Sequence, residues 1–249
     1  MQENMQPKVQ VKHLTKQFGD LLVLNDISFN VQSGEFLCIV GPTGCGKTTF
    51  LNSLTRLYEP TSGEILLDGE PVDLKKHNIA YIFQEYSTMP WLTVEENVGF
   101  GLDIKGVEKS KAKALVEEYL EIVGLTKYRS YYPDQLSASM LQRVVIARAF
   151  ATQPDLLLMD EPYGQLDIQL RYRLEDELIS LWKRTGTTVL FITHNIEEAV
   201  YMGQRILVLT NKPTTIKREI ENDLPRPRDI ASPDFVALRN EVTDLIKWW

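Results

Sequence analysis

Cysteine and long apolar runs are scarce in this sequence of 249 residues. Its two cysteines, Cys38 and Cys45, lie in an apolar run and in the loop just after it, where a bridge would bend the strand end severely. We therefore expect free thiols in a reducing compartment. No run approaches the roughly 20 apolar residues that a membrane-spanning helix needs. A chain of this length buries enough surface to fold without a disulfide or metal staple.

Positive charge is also in deficit. The 27 Lys and Arg residues face 34 Asp and Glu residues, which gives a net charge of −7. This balance argues against a protein that acts mainly through nucleic-acid phosphate contacts. The first residues, Met1-Gln2-Glu3-Asn4, are acidic and polar, so we expect no secretory signal there. If the protein acts at a membrane, we expect it to do so through a partner, from outside the lipid.

Strand-like and helical patterns alternate along the chain. Phe36–Val40 and Leu156–Met159 are continuously apolar, which is typical of strands buried on both faces. Val9–Val31 is β-rich and broken by turns, whereas helical patterns dominate from about 84 to 153. Strands that alternate with helices predict an α/β fold with a mostly parallel sheet and an inserted α-helical segment.

A glycine-rich loop follows the first apolar run and opens a helical stretch from Lys47 to about Leu57. The loop, Gly41-Pro42-Thr43-Gly44-Cys45-Gly46-Lys47-Thr48, fits the pattern G-x-x-x-x-G-K-[ST]. Glycines let backbone N–H groups point at phosphate oxygens, and a helix start presents its positive dipole end to the same anion. The pattern predicts a triphosphate site, with Lys47 at the β- and γ-phosphates, Thr48 on Mg²⁺ and Thr49 near the α-phosphate.

Two acids end the apolar run that begins at Leu156. Alone, Asp160 and Glu161 are explained equally well as a solvated turn. Ligands of open parallel sheets bind at the carboxyl ends of strands, however, where the glycine-rich loop also lies. Beside that loop, we expect Asp160 to hold Mg²⁺ and Glu161 to polarise the water that attacks the γ-phosphate. His194 also ends an apolar run, although a lone histidine is usually structural.

These motifs resemble, over nearly the whole chain, the ATPase subunit of an ATP-binding-cassette (ABC) transporter. The family's order is matched by Gly41–Thr49, Gln84 after a strand, Leu136-Ser137 before a helix, Asp160-Glu161, Leu166-Asp167 and His194. The resemblance implies a P-loop NTPase fold of the ABC-ATPase type that binds ATP and Mg²⁺.

The resemblance also implies roles for single residues. Gln84 is then both catalytic and a magnesium ligand, and His194 is catalytic at the γ-phosphate. Ser137 contacts the nucleotide held by a second subunit. Phe18 falls where the family places an aromatic ring that stacks on adenine, although an ordinary apolar residue at a strand end is the alternative there.

The implied organisation is a single ABC ATPase domain over residues 1–249. We expect a RecA-like core with an N-terminal antiparallel β subdomain at about 7–84 and 154–222. An inserted helical subdomain is expected at about 85–153, and a tail helix at 223–249.

One subgroup of the family fits best. Met89-Pro90-Trp91-Leu92-Thr93-Val94 and Leu224-Pro225-Arg226-Pro227-Arg228 are similar to segments of importers of nitrate, sulfonate, taurine and bicarbonate. The resemblance implies a peripheral subunit on the cytoplasmic face of the cell membrane. It would pair with a second ATPase subunit, as a homodimer or heterodimer, and contact two transmembrane permease subunits through the region after Gln84. A solute-binding protein acts indirectly in such systems, and no nucleic acid partner is expected.

The signature segment departs from the family. It is Leu136-Ser137-Ala138-Ser139-Met140, where this subgroup has Leu-Ser-Gly-Gly-Met. Ala138 and Ser139 add side-chain atoms where the family's backbone approaches the γ-phosphate, which predicts a looser contact unless the Ser139 hydroxyl supplies one. Two alternatives therefore accompany the transport ATPase. One is a nucleotide switch with weak or no hydrolysis in a heterodimeric complex, and the other is a soluble cassette acting on nucleic acid or ribosomes.

Overall fold

The computed structural model describes residues 6–164 and 166–246. In chain order the strands are β1 (Val9–Phe18), β2 (Leu21–Val31), β3 (Phe36–Val40), β4 (Ser62–Leu67), β5 (Glu70–Pro71), β6 (Ile79–Ile82), β7 (Leu156–Asp160), β8 (Thr188–Thr193), β9 (Arg205–Leu209) and β10 (Ile216–Glu221). The helices are α1 (Lys47–Leu54), α2 (Val94–Ile104), α3 (Lys109–Ile122), α4 (Ala138–Ala151), α5 (Ile168–Thr185), α6 (Ile196–Met202) and α7 (Pro233–Ile246). Residues 1–4 and 247–249, to which the sequence assigned a polar start and the end of the tail, lie outside the described residues.

The chain folds into two compact units. The described residues up to His77, together with those from Thr188 onward, form unit 1. The described residues from Asn78 to Thr187 form unit 2. No helix in the described part of the chain is both long and apolar enough to cross a bilayer.

Unit 1 contains an antiparallel sheet and a set of parallel strands. The antiparallel sheet has the strand order β2-β1-β4-β5. In the other set, β3 lies between β8 and β9 and runs parallel to both, while β10 joins β9 in the antiparallel sense. Every residue of β3 and β8 is buried. Their continuous apolar runs therefore have the environment that such runs predict.

Unit 2 combines the parallel pair β6 and β7 with a layer of helices. The pairing runs from Ile79 opposite Leu156 to Ile82 opposite Met159. Helices α2, α3 and α4 pack on one another. Helix α2 begins at a capping box, in which the Thr93 N–H donates to Glu96 at 2.7 Å and the Glu96 N–H donates to the Thr93 hydroxyl at 3.3 Å.

The segment Asn222–Arg228, here named the tail clamp, closes the carboxyl end of α6. The Arg228 guanidinium donates to the carbonyl oxygens of Val200 at 2.7 Å, Tyr201 at 2.9 Å and Gly203 at 2.6 Å. The last carbonyls of a helix have no partner within the helix. Arg228, which is buried, therefore satisfies acceptors that α6 itself leaves open.

Candidate functional site

The glycine-rich loop Gly41–Thr48 lies in unit 1 between β3 and α1. At Gly46, φ is +113°, and a Cβ there would lie 2.8 Å from Val23 Cγ1. A Cβ at Gly41 would lie 3.0 Å from Leu209 Cβ. Glycine is required at Gly46 by conformation and close packing, and at Gly41 it leaves room for the neighbouring strand. The loop's tight path is therefore fixed by its own unit.

The outer surface of the loop suits an anion. Thr43, Gly44 and Thr48 are exposed. The first turn of α1, all of it described, contains no acidic residue. A helix start attracts anions through its free N–H groups and dipole, and no carboxylate in that turn opposes the attraction.

Lys47 begins α1 and folds back over the loop. Its Nζ donates to the carbonyl oxygens of Gly41 at 3.0 Å and Pro42 at 3.2 Å, and the residue is buried. A phosphate in the loop would compete with these carbonyls for the same ammonium group. Charge-assisted hydrogen bonds are roughly twice as strong as neutral ones, so the exchange favours the phosphate.

Cys45 contributes its backbone to the loop and its thiol to the interior. Its N–H donates to the Pro42 carbonyl at 3.2 Å, and its own carbonyl accepts a hydrogen bond from the Thr214 hydroxyl. Burial raises the pKa of the Cys45 thiol, although Lys47 acts in the opposite direction. Cys38 and Cys45 form no disulfide, as the sequence predicted, and both are buried.

The register of β3 and β8 brings His194 to the same edge as the loop. Val40 pairs with Thr193, so Gly41 and His194 follow the ends of neighbouring parallel strands. His194 is exposed. Its neighbour Asn195 caps α6 by accepting the Glu197 N–H at 2.9 Å. Asparagine is among the residues preferred at this position of a helix.

Phe18 also lies in unit 1, at the end of β1. It is 40% exposed, which is high for a phenylalanine. Its ring contacts Tyr58 and lies beneath the ammonium group of Lys16. Phe18 is therefore an exposed but braced ring and not a core residue.

Asp160 and Glu161 lie in unit 2, where β7 ends. Asp160 is buried, and the Tyr81 hydroxyl donates to its Oδ2 at 3.4 Å. Glu161 is half-buried and has φ +47°, in the left-handed region that non-glycine residues seldom adopt. Such strain is common where a side chain is held for a function.

Gln84 follows β6, the strand paired with β7. Ile82 of β6 pairs with Met159 of β7. Gln84 and Glu161 each come two residues after this pair, so they lie at the same edge of the two strands. Gln84 is exposed. Unit 2 therefore brings Gln84, Asp160 and Glu161 to one edge, as unit 1 does for the loop and His194.

The signature segment lies in another part of unit 2. Ser137 caps α4, and its hydroxyl accepts the Met140 N–H at 3.4 Å. The hydroxyls of Ser137 and Ser139 are 3.1 Å apart. Ser139 is thus in hydrogen-bonding contact with the one signature hydroxyl that the chain retains.

The residues predicted to hold a metal carry hydroxyl, amide and carboxylate oxygens, which suit magnesium. Within the described residues, no group of three or more His, Cys, Asp or Glu side chains is placed to hold a metal ion. Mg²⁺ commonly takes one or two carboxylates and completes its shell with substrate phosphates and water. In unit 2 the carboxylate of Asp160 is a ligand of that type, and in unit 1 the hydroxyl of Thr48 is exposed.

Three contact residues were not predicted from the sequence. Tyr81 bonds Asp160, and Lys16 and Tyr58 hold Phe18. A tyrosine in the strand before Gln84 was a usable signal for the first, because β6 and β7 were both predicted. Lys16 is two residues from Phe18 on β1, whereas the Tyr58 contact joins segments 40 residues apart, which no local pattern reveals.

Comparison with known proteins gives three matches of note. The sequence profile of the ABC transporter family matches residues 24–164. An aliphatic sulfonates import ATP-binding protein, SsuB of Bacillus cereus, is 41% identical over 231 residues, covering 93% of this chain and 91% of that protein. The structure of cbiO1 from Clostridium perfringens, part of the ABC transporter complex cbiONQ, has a TM-score of 0.80 at 23% identity, covering 93% of each chain.

A second solved structure adds a ligand-bound state. It is a dimeric ATP-binding cassette in a post-hydrolysis state with ADP and Pi, with a TM-score of 0.74 and 32% identity, covering 86% of this chain and 98% of that one. The similarity in fold confirms the predicted P-loop fold of the ABC-ATPase type. By its sequence profile, its relatives and its fold, the chain belongs to the ABC transporter family, as an ATPase of the ATP-binding-cassette type.

Proposed function

We propose that this chain binds and hydrolyses ATP to energise an importer of a small anion or sulfonate-like solute. The observation that carries the proposal is the loop Gly41–Thr48, which adjoins His194 at one edge of a parallel sheet. The identity with an aliphatic sulfonate importer's ATP-binding protein supports the solute class, which also includes nitrate, taurine and bicarbonate.

The proposed chemistry assigns one task to each group. N–H groups of the loop and the Lys47 ammonium bind the β- and γ-phosphates. Thr48, Asp160 and Gln84 would hold Mg²⁺, which neutralises the phosphate charge that develops during transfer. Glu161 accepts a proton from the attacking water, and His194 donates a hydrogen bond to the γ-phosphate.

The proposed permease contact lies in the helical part of unit 2. A cavity of about 250 Å³ there is lined mainly by apolar groups, including Tyr81, Phe100 and Ile104. Ile104 is 72% exposed, and Trp91, in the segment that resembles importers, is 73% exposed. We assign this surface to an apolar cytoplasmic segment of a transmembrane permease subunit, two of which are expected per complex. This role places the protein at the cytoplasmic face of the membrane.

The loop that carries Trp91 is fastened from both sides. The buried Asn97 side chain donates to the carbonyls of Met89, Leu92 and Thr93 at 3.0–3.1 Å, and accepts the Met89 N–H at 2.8 Å. Arg148 bonds the carbonyl and hydroxyl of Ser87 nearby. A fixed loop loses less conformational entropy when a partner binds, which suits a docking surface.

The proposed assembly contains a second ATPase subunit. The related cassette with ADP and Pi is dimeric. In such a pair, Ser137 and Ser139 of one subunit would face the nucleotide held by the other. The altered signature thus weakens the partner's site and leaves this chain's own loop, Glu161 and His194 in place. A solute-binding protein acts on the permease and not on this chain.

Two substitutions test the ATPase assignment on the purified chain. Glu161→Gln should keep Mg-ATP affinity and abolish steady-state phosphate release, because only the proton-accepting carboxylate is lost. Lys47→Ala should lower ATP affinity itself. Glu121→Gln, an exposed acid of α3, is the matched control and should release phosphate like the parent. Equal phosphate release by Glu161→Gln and the parent would contradict the proposal.

The solute class is tested with the complete importer. Uptake of an aliphatic sulfonate, taurine, nitrate and bicarbonate is measured in cells that express the complex with the parent chain or with Glu161→Gln. Uptake of one of these solutes that depends on Glu161 supports the class. Uptake of none of them, with an active ATPase, would overturn it.

A further inference from the structure

Three residues of unit 1 form a cluster at the end of β1: Lys16, Phe18 and Tyr58. The rings of Phe18 and Tyr58 meet with centroids 5.3 Å apart and planes at 85°. Lys16 Nζ lies 4.7 Å from the centroid of the Phe18 ring and 6.0 Å from that of Tyr58. Perpendicular ring pairs and a cation over a ring face are both favourable arrangements.

The three distances define which surface of Phe18 is free. They form a triangle whose angle at the Phe18 ring is somewhat less than a right angle. Since Lys16 lies over one face of that ring, Tyr58 lies beside its edge and not beneath the opposite face. Among the described residues, no ring or cation is paired with that opposite face. The residue as a whole is 40% exposed, and the face opposite Lys16 is here named the open face.

The cluster is tied to the helix that starts at the phosphate loop. Lys16 Nζ donates to the Glu59 carbonyl at 2.7 Å, beside Tyr58. The Tyr58 N–H donates to the Asn52 carbonyl of α1 at 3.0 Å. Because α1 begins at Lys47, the backbone of the residue that braces Phe18 is bonded to the same helix that begins at the glycine-rich loop.

We propose that Lys16 and Tyr58 are positioning residues for the nucleobase, which hold the Phe18 ring so that its open face stacks on adenine. This rests on the proposed function, in which Phe18 stacks on the base of ATP. A ring that is already immobilised pays less conformational entropy on binding than a freely rotating one. Bracing therefore raises affinity for the base without touching the phosphates.

The test compares two ligands on the purified full chain by titration calorimetry: Mg-ATP, and inorganic tripolyphosphate with magnesium. Tyr58→Leu and Lys16→Met each remove one brace. Each should weaken ATP binding about two- to tenfold, the range expected for such ring contacts. Tripolyphosphate affinity should stay at the parental value, because that ligand has no base. Tyr58→Phe keeps the ring and should keep the affinity for ATP.

Matched controls are available elsewhere in the chain. Tyr128 makes a similar edge contact with Tyr131, at 5.3 Å and 86°, in unit 2, and Tyr128→Leu should leave both affinities unchanged. Lys12 lies on the same strand as Lys16 and forms an exposed ion pair with Glu64. Lys12→Met removes that pair and should also change neither affinity. Thermal unfolding of each variant verifies that the fold is intact.

Three outcomes overturn the inference. The first is that Tyr58→Leu or Lys16→Met weakens the binding of ATP and of tripolyphosphate equally, which would place the effect at the phosphates. The second is that Tyr58→Phe lowers the affinity for ATP as much as Tyr58→Leu does. The third is unchanged ATP affinity in both brace variants while Phe18→Ala binds ATP more weakly. If Phe18→Ala binds ATP as the parent does, or the parent binds neither ligand, the proposed nucleotide site is wrong and the inference fails with it.

Discussion

Arg143 of α4 and Glu177 of α5 form a two-point ion pair, with Nε to Oε2 at 3.1 Å and Nη2 to Oε1 at 2.5 Å. The pair joins the helix that begins within the signature segment to the helix that Asp167 caps. Burial raises the pKa of Glu177, and the attraction of Arg143 only partly offsets this. The cost of desolvating the Glu177 carboxylate therefore offsets much of the stabilisation that the ion pair provides.

From this balance we expect single and double substitutions at the pair to differ. Arg143→Met leaves a partly buried carboxylate without its partner and should lower the free energy of unfolding by about 1–3 kcal/mol. Arg143→Met combined with Glu177→Leu removes both charges and should recover most of that loss. Urea unfolding measures both changes.

The control is the exposed pair of Arg184 and Glu118, whose closest atoms are 3.9 Å apart. Arg184→Met should change the free energy of unfolding by no more than about 0.5 kcal/mol. A double variant no more stable than Arg143→Met would show that the unpaired carboxylate is not the source of the loss and would contradict the expectation.

Restoring the family's glycines tests the altered signature. Ala138→Gly combined with Ser139→Gly removes the side-chain atoms that stand at the start of α4, and should tighten the ATP-dependent dimer by about one to two decades, the value of one charge-assisted hydrogen bond. Both the parent signature and the double-glycine signature are combined with Glu161→Gln, so that ATP is not turned over. Sedimentation of these two proteins with ATP then measures dimerisation. Unchanged dimerisation would mean that the Ser139 hydroxyl already replaces the missing contact.

Loss of the tail clamp should destabilise unit 1. Arg228→Met removes the buried charge-assisted hydrogen bonds to the carbonyls of Val200, Tyr201 and Gly203. Each of these carbonyls keeps a second donor, in Asn222 or Arg226, so the free energy of unfolding should fall by about 1–3 kcal/mol in total. Arg218→Met, which removes an exposed contact with Glu241 at 3.5 Å, is the control. If chemical unfolding gives the same free energy of unfolding for Arg228→Met and Arg218→Met, the tail clamp does not stabilise unit 1.

Stability should fall under alkaline conditions. Burial raises the pKa of Tyr81 above its ordinary value, with Asp160 adding to the rise, and burial also raises the pKa of Cys45. The unfolded chain therefore releases these protons at a lower pH than the folded chain does. Their contribution is fully present below the ordinary values of 9.0 for the thiol and 10.0 for the phenol, and is lost as the pH rises past them.

The measurement is the urea midpoint at pH 8 and at pH 10.5. Tyr81→Phe removes one of the titrating groups, so its midpoint should fall less between the two pH values than that of the parent. Tyr128→Phe changes an exposed ring, and its urea midpoint should fall between the two pH values as much as that of the parent. Identical losses in Tyr81→Phe and the parent would exclude Tyr81 as a source of the alkaline sensitivity.

Local patterns predicted the parts of the site that depend on neighbours in sequence. The buried strand β3, the glycine-rich loop and the acids after β7 each follow from a short run of residues. The helix after the loop was predicted to reach about Leu57, but α1 ends at Leu54, because Arg56 adopts a left-handed conformation with φ +58°. A single exposed turn of this kind leaves no mark in apolar spacing.

Long-range contacts account for what the sequence did not predict. The bond between Tyr81 and Asp160, the contact of Tyr58 with Phe18 and the tail clamp each join segments that are distant in the chain. The motif Leu224-Pro225-Arg226-Pro227-Arg228 was recognised only as a family likeness. Its physical role became clear from the carbonyl oxygens that Arg228 contacts.

The position of the tail clamp has a consequence for synthesis. Helix α6 leaves the ribosome before the arginine that satisfies its terminal carbonyls, with a lag of roughly 1–5 s at ordinary translation rates. During that interval these carbonyls can bond only to water and then, as the chain lengthens, to Asn222 and Arg226. The full set of hydrogen bonds at the end of α6 therefore forms only after Arg228 has emerged.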